Sequence, residues 1–389
     1  MRIVELTAHQ VNIPLRKPIK HASHTRTETE NVVVKCVLED GTVGYGEGVP
    51  REYVTGETID LAIELLKKSE LEQQIRPCAD FADAVAFAES VSVYRLEKDD
   101  RQCQGNAGRC ALELAILDAY GKHFGEPVSK VTQLLADDLH EPKEKVQYSG
   151  AVTSTKGFKL RLTAWKYRVF GFSQIKLKVG IEGLDDVARL RSLRKRLGSK
   201  VDLRIDANEA WSLYDAVRNI RELQPWNITS VEQPLSHKQA DSLTQLRQDV
   251  DVPIMLDESL CSMIDAKRAA DRGYCDLFNI RLSKCGGFIP SLRLAQFAKE
   301  NGLGYQLGCQ VGETALLSAA GRHFAMTVRD IRYLEGSYDK HLVKESLGKE
   351  DITFGWGGWA PALTKPGLGV EIDPEAFQRV TRRKETLVG

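Results

Sequence analysis

The chain has no excess of charge of either sign. Among its 389 residues, 54 lysines and arginines balance 54 aspartates and glutamates, for a formal net charge of +0. That removes the basic footprint expected of a nucleic-acid or anionic-membrane binder and leaves a small molecule as the expected partner. No run approaches the roughly 18 apolar residues of a membrane span. The opening Met1-Arg2-Ile3-Val4-Glu5 lacks a signal-type apolar core, so a cytoplasmic protein is expected. The eight cysteines show no Cys-x-x-Cys spacing, which signals neither a zinc cluster nor a disulfide framework and predicts buried free thiols. No segment is low-complexity or fibrous, and 42% hydrophobic residues is ordinary globular composition. At about 150 residues per domain, the length points to two or three domains.

What is present falls into two patterns. Residues 2–12, 31–38 and 42–47 read as strands around the Glu39-Asp40-Gly41 turn, and helical periodicity starts near Asp60 and Asn106. Strands first and helices after is an α+β signature, expected over residues 1–125. From about Gln147 short apolar runs alternate with amphipathic helices. Strands are predicted at 174–179, 201–206, 228–232, 253–257 and 276–282, with weaker candidates at 304–307 and 331–334. Ser212 is placed to cap a helix whose stripe is Leu213, Val217, Ile220 and Leu223, and Pro225 stops it. Repeated strand–helix units mean a parallel sheet. Residues 361–389 show little periodicity and are expected to cross back to the first domain.

Polar residues mark the strand ends. Lys176, Asp206, Glu232, Asp257 and Arg281 follow one another at intervals of 30, 26, 25 and 24 residues. One such residue per unit fits a closed barrel with its site at the C-terminal mouth better than an open doubly wound sheet. Buried parallel strands should be continuously apolar, yet Ile175-Lys176-Leu177-Lys178-Val179 alternates and turns both lysines toward the mouth. Asp206, Glu232 and Asp257 would repel one another there without a cation, and an all-oxygen set suits Mg²⁺. Lysines facing such a cation suit removal of a proton α to a carboxylate, with the second ammonium and the metal lowering the pKa of the first.

With these motifs the chain resembles the enolase superfamily and, within it, the muconate-lactonizing-enzyme subgroup of the mandelate racemase/muconate lactonizing enzyme family. The likeness runs through Gly44-Tyr45-Gly46-Glu47, Val54-Thr55-Gly56-Glu57-Thr58, the Lys-x-Lys strand, the three carboxylates, Lys284-Cys285-Gly286-Gly287 and Lys365-Pro366-Gly367-Leu368-Gly369. It implies an α/β fold: a modified (β/α)7β TIM-like barrel over residues 126–360, an α+β capping domain over 1–125, and a returning segment over 361–389. It further implies Asp206, Glu232 and Asp257 as Mg²⁺ ligands, Lys178 as acid/base and Lys176 as its partner at the substrate carboxylate. Lid loops near 18–30 and 48–58 make His21, His24, Arg51 and Tyr53 candidate substrate contacts, joined by Asn208, and Glu313 is placed either to meet substrate or to cap a helix. Members are commonly oligomeric, which implies a homo-oligomer.

Two departures shape the expected activity. Arg281 stands where the subgroup carries a second acid/base lysine, and arginine stays protonated. Glu335-Gly336-Ser337 stands where dipeptide epimerases carry Asp-x-Asp, and Tyr305 to Gln310 has no histidine of the mandelate-racemase type. The expectation is therefore one-base β-elimination or cycloisomerisation of a small carboxylic acid, through an enediolate, of the dehydratase or muconate-cycloisomerase kind. The alternative is a racemase or epimerase of an amino-acid derivative or dipeptide. Of other classes, a metal-independent Schiff-base aldolase or a non-catalytic ligand-binding relative would fit the lysines or Arg281.

Overall fold

A computed structural model describes residues 1–20 and 25–389. Three antiparallel strands open the chain: β1 (Ile3–Lys20), β2 (Thr25–Leu38) and β3 (Val43–Gly48). The first two run longer than the sequence predicts, because the hairpin continues through paired positions as far as Lys20↔Thr25. His21 and His24, proposed as lid contacts, lie outside the described residues.

The sheet rests on the helix Asn106–Phe124, and glycines set the distance between them. A Cβ on Gly44, Gly46 or Gly48 would stand 2.2, 2.2 and 1.9 Å from the helix backbone at Ala119 N, Ala111 O and Ala107 O. Only hydrogen fits at those three positions. The Gly-x-Gly motif therefore serves this backbone contact.

Next come β4 (Lys145–Gln147) and eight parallel strands in sequential order. These are β5 (Gly150–Val152), β6 (Gln174–Lys178), β7 (Asp202–Asp206), β8 (Val231–Glu232), β9 (Ile254–Leu256), β10 (Leu277–Ile280), β11 (Gly304–Leu307) and β12 (Ile331–Leu334). Each of the seven connections between them carries an α-helix, and the one after β10 carries two, giving the (β/α)7β order. The outer strands approach each other where Ser149 N–H donates to Leu334 O at 2.8 Å. The helices begin where side chains accept otherwise orphaned N–H groups: Asp185 from Ala188, Ser212 from Asp215 and Ser262 from Asp265. Ile175, Leu177, Leu203, Ile205 and Val231 are fully buried on the helix-facing side. Lys176, Arg204, Asp206 and Glu232 alternate with them and point into the lumen, where Met255, Leu277 and Tyr333 form a separate buried cluster.

After β13 (Trp359–Pro361), which pairs with β4, the helix Pro374–Val380 leads into β14 (Thr381–Val388). This strand adds to the first sheet beside β1. Its alternation of intermediate and exposed side chains hides it in the sequence, because no apolar face marks it.

Buried carboxylates join the first sheet to the barrel. Glu47 accepts from Thr314 N–H and Leu317 N–H, each at 3.1 Å, and from Thr314 Oγ1 at 2.8 Å. It thereby caps the barrel helix Ala315–Thr327, whose own N-cap Thr314 makes no side-chain cap bond. Glu113 does the same for Ile289 N–H at the start of the helix Phe288–Glu300. Asn106 Nδ2 donates to Cys261 O and Lys284 O, both at 2.8 Å. All eight cysteines are free, and all except Cys309 are buried. No helix among the described residues is long and apolar enough to cross a membrane.

Candidate active site

Strand register brings the predicted residues together. Lys176 pairs with Arg204, Lys178 with Asp206, and Asp206 with Glu232. Asp257 and Arg281 follow directly after β9 and β10. Glu335 follows β12, and the strand-end rule that picks out Asp206 also finds it once the weak strand 331–334 is accepted.

The two lysines have different surroundings. Lys176 is buried, with its ammonium 2.7 Å from Glu335, 3.2 Å from Glu232 and 3.6 Å from Asp206. Burial pulls its pKa down, but Glu232, Glu335 and Asp206 together outweigh that and hold it above the ordinary lysine value. Lys176 is therefore a fixed positive charge. Lys178 is 26% exposed, donates to Asn208 Oδ1 at 2.7 Å and lies 3.9 Å from Asp206 Oδ2. It is the lysine that faces the mouth.

The carboxylates are held from several sides. Asp206 Oδ1 accepts from Asn208 N–H at 3.0 Å, while buried Oδ2 accepts no hydrogen bond. Glu232 accepts from Asn279 Nδ2 at 2.8 Å. Burial, with Asp206, Glu335 and Asp257 adding to it against Lys176, pushes the Glu232 carboxyl up to about 7. Asp257 Oδ1 accepts from Lys284 at 2.8 Å and Oδ2 from Arg281 Nη2. Burial alone would raise Asp257, but Arg281 and Lys284 hold it below the usual carboxylate range.

Sequence reasoning missed several supports. Gln233 is fully buried, takes φ 35°, and its amide accepts from Asp257 N–H and Ser259 N–H while donating to Leu235 O and Ser259 Oγ. It fixes the turn after β8 to the third carboxylate. Arg204 lies 4.4 Å over the Tyr333 ring and donates to Glu335 at 2.7 Å. Burial opposes the Glu335 charge, but Lys176 and Arg204 hold that carboxyl well below its ordinary value. Glu258 is buried, and its Oε2 accepts no hydrogen bond.

The proposed substrate contacts divide. Asn208, at φ 43°, bridges Lys178 and Glu258. Glu313 Oε1 accepts from Gln310 N–H at 2.5 Å, and Glu313 lines a small cavity together with Glu335, Cys309 and Ser318. Arg51 is buried, and its guanidinium donates to Pro50 O, Thr29 Oγ1 and Val311 O at 2.6–2.7 Å, tying the first domain to the loop after β11. Tyr53 is half-buried under Arg26, 5.6 Å from the ring centroid. Lys284 is buried and donates to Asp257 O, Asp257 Oδ1 and Asn279 O.

The donor chemistry at Asp206, Glu232 and Asp257 fits a hard divalent cation, since all donors are carboxylate oxygens and Asp206 Oδ2 lacks a hydrogen bond. In the conformation described no three such side chains converge at coordinating distance among the described residues. The cations Lys176, Arg281 and Lys284 lie on these carboxylates instead.

Both parts of the chain match known families. Residues 3–132 match the mandelate racemase/muconate lactonizing enzyme N-terminal domain, and residues 160–376 match the enolase C-terminal domain-like family. The chain is 27% identical over 386 residues to an N-succinyl-L-Arg/Lys racemase of Bacillus cereus, covering 98% of each chain. It is 30% identical over 377 residues to an L-Ala-D/L-Glu epimerase of Bacillus subtilis, covering 95% of this chain and 97% of the other. A dipeptide epimerase of Cytophaga hutchinsonii, solved with Mg and D-Ala-L-Val, superposes with a TM-score of 0.84 at 26% identity over 100% of both chains. With both domains matched, the chain belongs to the mandelate racemase/muconate lactonizing enzyme family of the enolase superfamily.

Proposed function

We propose that this enzyme is a Mg²⁺-dependent racemase or epimerase of an N-acylated amino acid, acting by removal of the proton α to the substrate carboxylate. The relatives support the amino-acid derivative over the simple hydroxy acid or muconate-like diacid expected first. The observation that carries the N-acyl choice is Glu335. Both its oxygens are engaged, by Lys176 and Arg204, so no carboxylate at this strand end is left to hold a free substrate ammonium. An acylated nitrogen needs no such partner.

Lys178 moves the proton, since it faces the mouth, and Asn208 orients its ammonium. Lys176 stays charged, held among Glu232, Glu335 and Asp206, as the fixed cation of the site. Asp206, Glu232 and Asp257 would hold the divalent cation, which when bound stabilises negative charge on the substrate carboxylate. Arg281 stays protonated on Asp257 and orients anionic groups, so inversion draws the proton for the opposite face from solvent and not from a second base.

Arg281 also favours a second reading, one-base elimination or cycloisomerisation, because those reactions need no proton delivered to the far face. Incubation with Mg²⁺ in D₂O against N-succinyl amino acids, dipeptides, hydroxy acids and muconate-like diacids separates the two. Deuterium at the α-carbon of an N-acyl amino acid with inversion supports the racemase. Loss of water or ring closure selects the second reading, and absence of exchange in every compound rejects both.

A further inference from the structure

Arg281 sits among the carboxylates rather than beside them. Its Nη2 donates to Asp257 Oδ2 and lies 3.5 Å from Glu232 Oε1, so one guanidinium bridges two of the three acids assigned to the cation. Its Nη1 donates to the neutral amide of Gln310 at 3.2 Å, and its buried Nε has no hydrogen-bond partner. One nitrogen, Nη2, thus faces both acids while Nη1 reaches Gln310, and a lysine has only one nitrogen on a shorter side chain for all three.

The neighbouring cations are anchored differently. Lys284 donates to two backbone carbonyls as well as to Asp257, at 2.6, 2.8 and 2.9 Å. Lys176 is shared among Glu232, Glu335 and Asp206. Arg281 alone holds its acids with one side anchored only by a neutral amide. Its departure leaves Asp257 on Lys284 and Glu232 on Asn279 and Lys176.

We propose that Arg281 is a displaceable counter-cation of this site, bridging Asp257 and Glu232 until a divalent cation takes those oxygens and turns the guanidinium toward Gln310 and the substrate. Cation binding then competes with the protein's own arginine, and the arginine reaches substrate only after the cation has bound. For the identity of the cation site this rests on the function proposed above. A titration of metal alone, with no substrate, keeps the two separable.

The test is calorimetric titration of MnCl₂ into the purified protein and into Arg281→Lys and Arg281→Met, with thermal melts to verify that each variant is folded. Both variants are expected to bind Mn²⁺ roughly ten- to a hundredfold more tightly than wild type, the range given by losing one competing charge-assisted contact. Arg281→Lys keeps the charge on a shorter side chain that cannot hold both acids and Gln310 together, so it separates contact from general field. Tightening in Arg281→Met alone overturns the proposal, as does equal affinity in all three proteins or no Mn²⁺ binding in any. If Arg281→Met fails to fold, Arg281→Lys against wild type decides.

Discussion

Lys178 and Asp206 are register partners on adjacent parallel strands, and the lysine nitrogen lies 3.9 Å from Asp206 Oδ2. The same ladder that forms the barrel therefore delivers the proposed base beside the first proposed metal ligand. Asn208, two residues after Asp206 in left-handed backbone at φ 43°, completes the arrangement by accepting from Lys178. Base, ligand and orienting amide share one strand junction.

Replacing Lys178 with alanine is expected to lower α-proton exchange by about 10²–10⁴-fold, the usual contribution of a positioned acid/base. Lys178 makes only the longest of the ion pairs to Asp206, so Mn²⁺ affinity should change little. Retained exchange would remove Lys178 from the proposed role.

Glu335 and Arg204 form a buried pair, with Arg204 fully buried. Glu335→Leu leaves that guanidinium without its carboxylate and should cost about 3–5 kcal/mol in urea unfolding. Arg204→Leu combined with Glu335→Leu should recover part of the loss. Additive losses would show that the two do not act as a pair.

Gly46→Ala places a methyl 2.2 Å from Ala111 O, which is helix backbone and cannot rotate away. Overpacking of this kind typically costs about 1–3 kcal/mol, read as a lower melting temperature. An unchanged melt would mean that the sheet and the helix Asn106–Phe124 separate easily.

His323 is buried against Leu368 O, and burial pushes its pKa down to about 4, from 6.5 in the unfolded chain. The unfolded state therefore takes up the proton first as pH falls, so stability is lost progressively from about pH 6.5 toward pH 4. The loss from this group reaches about 3 kcal/mol at the lower end. His323→Gln should show a flatter stability profile between pH 7 and pH 5. A profile parallel to wild type would rule out this linkage.

Much of the barrel was legible because each unit repeats one pattern, an apolar strand ending in a charged residue followed by a capped helix. Lys178, Asp206, Glu232, Asp257 and Arg281 lie at or directly after strand ends for that reason, and Lys176 lies two residues before Lys178 on the same strand. Glu335 obeys the same rule but follows a strand whose first residues, Ile331 and Arg332, are not fully buried, so its apolar signal is faint. Gln233 and Arg204 escaped because their roles come from hydrogen bonds across strands, which no local spacing records. Glu47 was visible as part of a motif. Its role as the cap of a helix 267 residues further on exists only in the folded chain.

The central claim is that Lys178 works from one face of the substrate and Arg281 carries no proton on the other. It is tested most directly by measuring α-deuterium uptake separately from the two enantiomers of one N-succinyl amino acid in D₂O with Mg²⁺. One enantiomer should exchange much faster than it inverts, and its mirror image should exchange slowly. Equal exchange rates from both enantiomers would contradict the claim, because they require a second proton carrier at the face where Arg281 stands.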